Sequence, residues 1–144
     1  MKNVIVSVDF GPGVEQLLEK ASEWAKAFEA KIWVLHIAAP HPEYIGYAVG
    51  PEYIRDIRAQ ELKEEHRLLD SYAKSLQAKG LVAEALLVKG ATKDMIVEEA
   101  QKLGADLIIC GHHEHNFIYK AILGSFSESL IQESMIPVLL IPLG

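Results

Sequence analysis

The chain has 144 residues, half of them hydrophobic and about a quarter charged, which is the balance of a folded globular protein and excludes a disordered or fibrous one. With 14 Lys+Arg against 20 Asp+Glu the formal net charge is −6, so the surface does not attract a nucleic-acid backbone. The single cysteine, Cys110, rules out an intrachain disulfide, and no apolar stretch reaches the length of a membrane-spanning helix.

The first apolar run, Val4-Ile5-Val6-Ser7-Val8, is rich in β-branched residues and nearly continuous, the pattern of a strand buried on both faces, and Asp9 ends it. No signal-peptide h-region or cleavage site precedes it, so a cytoplasmic location is expected. From Val14 the apolar positions Leu17, Leu18, Ala21, Trp24, Ala25 and Phe28 keep helical spacing along one face. Lys31 to Ile37 reads as the second strand. Residues 39–50 hold Pro40, Pro42, Gly46 and Gly50 and read as a long connection of the kind that forms lids. A long helix is expected from Pro51 to Lys79, stopped by Gly80, with the charges between Arg55 and Arg67 on its solvated face.

Leu81 to Val88 reads as the third strand, Thr92 to Leu103 as the third helix with Thr92 as N-cap, and Asp106 to Cys110 as the fourth strand. Ser125 to Ser134 follows as the fourth helix and Pro137 to Ile141 as the fifth strand. The alternation of strands and helices predicts one α/β domain over residues 1–144, with a doubly wound parallel sheet and right-handed crossovers. Ligands of such sheets sit outside the carboxyl ends of the strands, which draws attention to Asp9, Ile37 to Pro40, Gly90 and Gly111 onward.

The segment from Gly111 to Ser125 joins the fourth strand to the fourth helix. Gly111 allows a sharp turn and close approach to a ligand, and Gly124-Ser125 opens a helix whose free N–H groups and dipole favour a phosphate. Ser125-Phe126-Ser127-Glu128 is equally a capping box S-x-x-E, which needs no ligand, and both readings stand on spacing alone. His112, His113, Glu114 and His115 suit a metal by residue type. Consecutive loop residues rarely converge on one ion, however, and no C-x-x-C or H-E-x-x-H accompanies them, so no metal site is assigned. His36 and His41 read as a strand and a loop residue. Cys110 reads as a buried, inert thiol. No P-loop, G-x-S-x-G or G-x-G-x-x-G is present, and no catalytic residue is assigned.

Gly111-x2-Glu114-x9-Gly124-Ser125 resembles the G-x2-G-x9-G-[ST] motif of nucleotide-binding universal stress proteins, with the spacing intact and the second glycine replaced by Glu114. Val6-Ser7-Val8-Asp9, Leu35-His36-Ile37 and Pro137 to Pro142 resemble other segments of that family, so the resemblance spans residues 2–142. It implies a Rossmann-like sheet of the adenine nucleotide alpha hydrolase-like kind in the order 3-2-1-4-5, and a homodimer formed through the C-terminal strand. It further implies ATP, with Mg2+, as ligand. Carried over by position, Ser7 and Asp9 face the nucleoside and Ile37 and Ala38 border the adenine. Gly111, His113, Glu114, Gly124, Ser125, Phe126 and Ser127 line the sugar and phosphates. The function implied is a stress-response regulator binding an adenine nucleotide. The alternative is a nucleotide-free dimeric module, disabled as a nucleotide site by Glu114 and acting through a protein partner. A hydrolase ranks third, with only His113 or Asp9 to propose as a base.

Overall fold

Val4, Ile5 and Val6 are fully buried in β1 (Asn3–Ser7), the strand at the middle of the sheet, where β-branched side chains pack well on a pleated surface. The computed structural model describes residues 2–38, 51–90, 92–113 and 130–143. After β1 come α1 (Val14–Phe28), β2 (Lys31–Ala38), α2 (Pro51–Ala78), β3 (Ala83–Lys89), α3 (Thr92–Leu103), β4 (Leu107–His113) and β5 (Val138–Leu143), with helical residues 130–133 shortly before β5. All strand pairings are parallel, and the five strands lie in the order β3-β2-β1-β4-β5, as expected. The connection 39–50, the residues from Glu114 to Ser127 and the first half of the expected fourth helix lie outside the described residues.

Two cores follow from strands buried on both faces. Val4, Val6, Ile32, Val34 and Ile109 pack under α1 and α2 against Leu17, Leu18, Ala21, Leu69, Ala73 and Leu76. Ile5, Leu35, Ile37, Ile108 and Cys110 pack on the opposite face against Ile96 and Ala100 of α3 and against Leu130. Gly80, at φ 87, closes α2 with its N–H donating to the Gln77 carbonyl, the left-handed cap that glycine enters without a Cβ penalty. Glu29 does the same for α1 at φ 54, a cap that its residue type does not advertise.

Strand ends differ from the sequence expectation. β4 begins at Leu107 and continues to His113, beyond Cys110, because β5 itself runs to Leu143 and pairs His112 with Pro142 and His113 with Leu143. β3 begins at Ala83 rather than Leu81, since Leu81 still accompanies the end of α2, its N–H donating to the Leu76 carbonyl.

Asp106 ties the start of β4 to β1. Its Oδ2 accepts the backbone N–H groups of Lys2 at 2.7 Å and Asn3 at 3.0 Å, while its own N–H donates to the Asn3 carbonyl at 2.8 Å. The Lys2 and Asn3 N–H groups hold this carboxyl below its ordinary value. A carboxyl whose folded pKa is depressed contributes stability above its unfolded pKa of about 3.9, and that contribution is lost as pH falls through the lower folded value. Thermal melts between pH 5 and pH 2.5 are therefore expected to show a smaller acid-induced drop in Tm for Asp106→Asn than for the unsubstituted protein.

Candidate functional site

The strand order reverses between β1 and β4, because the chain leaves β1 toward β2 and β3 and returns to β1's other side as β4. A crevice opens at the carboxyl ends of strands on either side of such a switch point. Ser7, the last residue of β1, stands opposite Leu35 of β2 and Cys110 of β4, which continue three residues further to Ala38 and His113, so β1 ends recessed between its two neighbours.

Beyond Ser7 the backbone is held tightly. The Val8 N–H donates to the Leu35 carbonyl at 2.9 Å, and the Val8 carbonyl lies 2.7 Å from Nδ1 of His36. A carbonyl only accepts, so Nδ1 carries the proton in this contact. Asp9 is exposed, and its Oδ1 accepts the Gly11 N–H at 2.9 Å in a local side-chain turn that orients the carboxylate. Phe10 takes a left-handed conformation, φ 64, uncommon for an aromatic residue. Its ring centroid lies 4.4 Å from that of His36 and 6.1 Å from that of Tyr72 on α2. Burial, and then the Glu15 and Asp9 carboxylates, raise the Tyr72 phenol above its usual value, so it keeps its proton at neutral pH.

Phe10 and Tyr72 were not singled out by the sequence, and His36 was read as an ordinary strand residue. The one available signal is a histidine two positions before the end of an otherwise apolar strand. Its neighbours come from β1 and α2, so only the tertiary fold assembles the group.

The expected site residues fall as follows. Ser7 is half-buried and Asp9 exposed at the end of β1. Ile37 and Ala38 end β2, where both are buried. Ile37 packs into the α3-side core, and the Ala38 carbonyl accepts the Gly90 N–H at 3.2 Å. Gly111 does not make the expected turn. It sits inside β4 opposite Ile141, and a Cβ there would stand 2.5 Å from Cδ1 of Leu143 and 3.6 Å from Cδ2 of Leu17. The glycine is needed where α1 and β5 close over β4, a packing requirement rather than a conformational one. His113 ends β4. Glu114, Gly124, Ser125, Phe126 and Ser127 lie outside the described residues.

Cys110 is buried in the α3-side core, and that burial pushes its thiol up to about 11. The reactive thiolate is therefore scarce at pH 8. Iodoacetamide is expected to leave the native protein unmodified over hours and to alkylate it stoichiometrically in 6 M guanidinium, read by intact mass. Rapid native alkylation would contradict this placement. Among the described residues, no group of three or more His, Cys, Asp or Glu side chains could hold a metal, and no helix is long and apolar enough to cross a membrane.

The relationships of the chain agree with this geometry. A model of the universal stress protein family matches residues 1–142. The chain is 31% identical over 142 residues to universal stress protein C of Escherichia coli O157:H7, covering 98% of this chain and 95% of that relative. Among solved structures, it superimposes on the universal stress protein from Archaeoglobus fulgidus in complex with dAMP, at 22% identity, 98% coverage of both chains and a TM-score of 0.66. A universal stress protein in complex with cAMP matches at 23% identity, covering 99% of this chain and 98% of that one, with a TM-score of 0.70. At these identities the structures speak to the fold, and the family match and the curated relative speak to descent: the chain belongs to the universal stress protein family.

Proposed function

We propose that the protein is a cytoplasmic, homodimeric stress-response regulator that binds an adenine nucleotide, ATP accompanied by Mg2+, in the crevice beyond β1 and β4, with no dedicated hydrolytic site. The observation that carries this reading is the early end of β1 between the longer β2 and β4 at the switch point of the sheet, with the exposed Asp9 just beyond it. The oriented Asp9 carboxylate suits the hydroxyl donors of a ribose. The Gly124-Ser125 pair, opening a helix in the sequence reading, suits the phosphates. The cAMP and dAMP bound by the two structural neighbours both carry adenine, which supports the same ligand class here. Equilibrium dialysis with ATP at physiological Mg2+ tests the reading; saturable binding at one site per chain is expected.

Glu114 in place of the motif's second glycine favours a second reading, in which the crevice stays free of nucleotide and the dimer acts by holding a protein partner.

For the dimer, the support is the edge strand β5. Its Val138, Leu139 and Leu140 are only half-buried, and beside it Ile131 and Met135 are 53% and 86% exposed, so an apolar edge borders solvent. Such an edge is commonly covered by a second copy. Light scattering at micromolar concentration is expected to give a dimer, and Leu139→Lys a monomer that keeps its circular dichroism spectrum. A monomer for the unsubstituted chain would contradict the assembly.

A further inference from the structure

An open cleft of about 450 Å³ lies away from the switch point, between α2 and the edge strand β3. Two periodicities build it. Ala59, Leu62, Lys63 and His66 share one face of α2 at positions i, i+3, i+4 and i+7, while Leu87 and Lys89 share one face of β3 at i and i+2. β3 is separated from β1 by the whole of β2, roughly 10 Å across two strand spacings, so the cleft is distinct from the crevice beyond β1 and β4.

Its chemistry is two-sided. Leu62, Leu87 and Ala59 offer an apolar floor, Lys63, Lys89 and His66 surround it with nitrogen, and among the described residues no carboxylate lines it. Three acids of α2 among the described residues are already engaged. Glu61 pairs with Arg58, Glu64 with Arg67 and Asp70 with Lys74. Glu65 buries its Oε2 and does not line the cleft. Among the described residues Lys63 and Lys89 have no ion-pair partner, whereas most of the other lysines and arginines do. Unpaired ammonium groups over an apolar floor, in a volume within the roughly 300–1,000 Å³ range of small-molecule sites, define a ligand class by complementarity. An inorganic anion would leave the leucines uncovered, and a neutral apolar molecule would leave the lysines unanswered.

We infer that this cleft is a second binding site, for a small amphipathic carboxylate whose apolar body lies on Leu62 and Leu87 and whose head group meets Lys63 and Lys89. The site stands independently of the nucleotide reading. Titrating the 144-residue protein with octanoate, 1-octanol or inorganic phosphate, followed by 15N–1H correlation spectra, tests it. Octanoate is expected to shift the amides of Leu62, Lys63, His66, Leu87 and Lys89 saturably at millimolar concentration, 1-octanol to bind at least about five-fold more weakly, and phosphate to leave them unmoved. Both lysines are exposed. The Lys63→Met/Lys89→Met double variant is therefore expected to keep its spectrum while losing the preference for octanoate over octanol, each ammonium contributing a few-fold. Equal binding of octanol and octanoate, a double variant that still prefers octanoate, or octanoate shifts mapping elsewhere or nowhere would overturn the inference.

Discussion

Replacing Glu114 by Gly is expected to tighten ATP binding by up to about ten-fold, the equivalent of roughly 1.4 kcal/mol. The expectation combines two costs attached to a glutamate at the second glycine of the motif. A carboxylate about 4 Å from a phosphate charge is repelled by roughly 1 kcal/mol even at the dielectric of water, and by more where water is excluded. If that position takes the left-handed conformation that a glycine permits, a side chain there adds about 1–2 kcal/mol of strain. Relaxation of the glutamate outward recovers part of both, which is why the expected gain stops near ten-fold. Ser125→Ala acts in the opposite sense, removing a hydroxyl donor from the phosphates and weakening binding a few-fold, in keeping with about 1 kcal/mol for a hydrogen bond. Isothermal titration of the three proteins with ATP reads both effects. Binding confined to the Glu114→Gly variant would identify Glu114 as the residue that silences an otherwise intact site, and would favour the protein-interaction reading for the natural chain.

The largest loss of stability is expected at the centre of the sheet. Ile108 is fully buried, stands in register with Ile5 of β1 and Val138 of β5, and belongs to the core that α3 covers. Truncation to alanine removes transfer energy and leaves a cavity walled by rigid strands, a change worth about 2–5 kcal/mol. Domains of this size have only about 5–15 kcal/mol in total, so Ile108→Ala should lower the urea midpoint steeply. Ile108→Val should cost about 0.5–1.5 kcal/mol, and Val82→Ala, at an exposed position away from β5, within about 0.5 kcal/mol of nothing. An Ile108→Ala protein with an unchanged midpoint would contradict the assigned burial. The proposed site should feel the loss too, because β4 runs beside the end of β1, with Cys110 opposite Ser7.

The strands and helices were legible because each central strand is covered on both faces, which writes it as a β-branched run, and because Gly80 marks the end of α2 in the one conformation glycine enters freely; the order of the strands came from the family resemblance. Strand ends were not. His112 and His113 are polar and look like loop, yet backbone pairing with Pro142 and Leu143 keeps them in β4, a decision made by the neighbouring strand rather than by their own propensities. Gly111 was correctly singled out as a special position but for a different cause, since only the packing of Leu143 and Leu17 over β4 reveals why a side chain is excluded. The grouping of Phe10, His36 and Tyr72 joins three elements distant in sequence, and no local pattern announces it. The acidic end of β1, by contrast, was visible as Asp9 closing an apolar run.

Mass spectrometry of the purified protein, denatured after incubation with ATP and Mg2+ and removal of free nucleotide, tests the central claim most directly. The account predicts release of ATP, or of the ADP or AMP derived from it, in a fixed ratio to the chain. Protein that releases no adenine nucleotide would contradict it, whether or not a Glu114→Gly variant releases one.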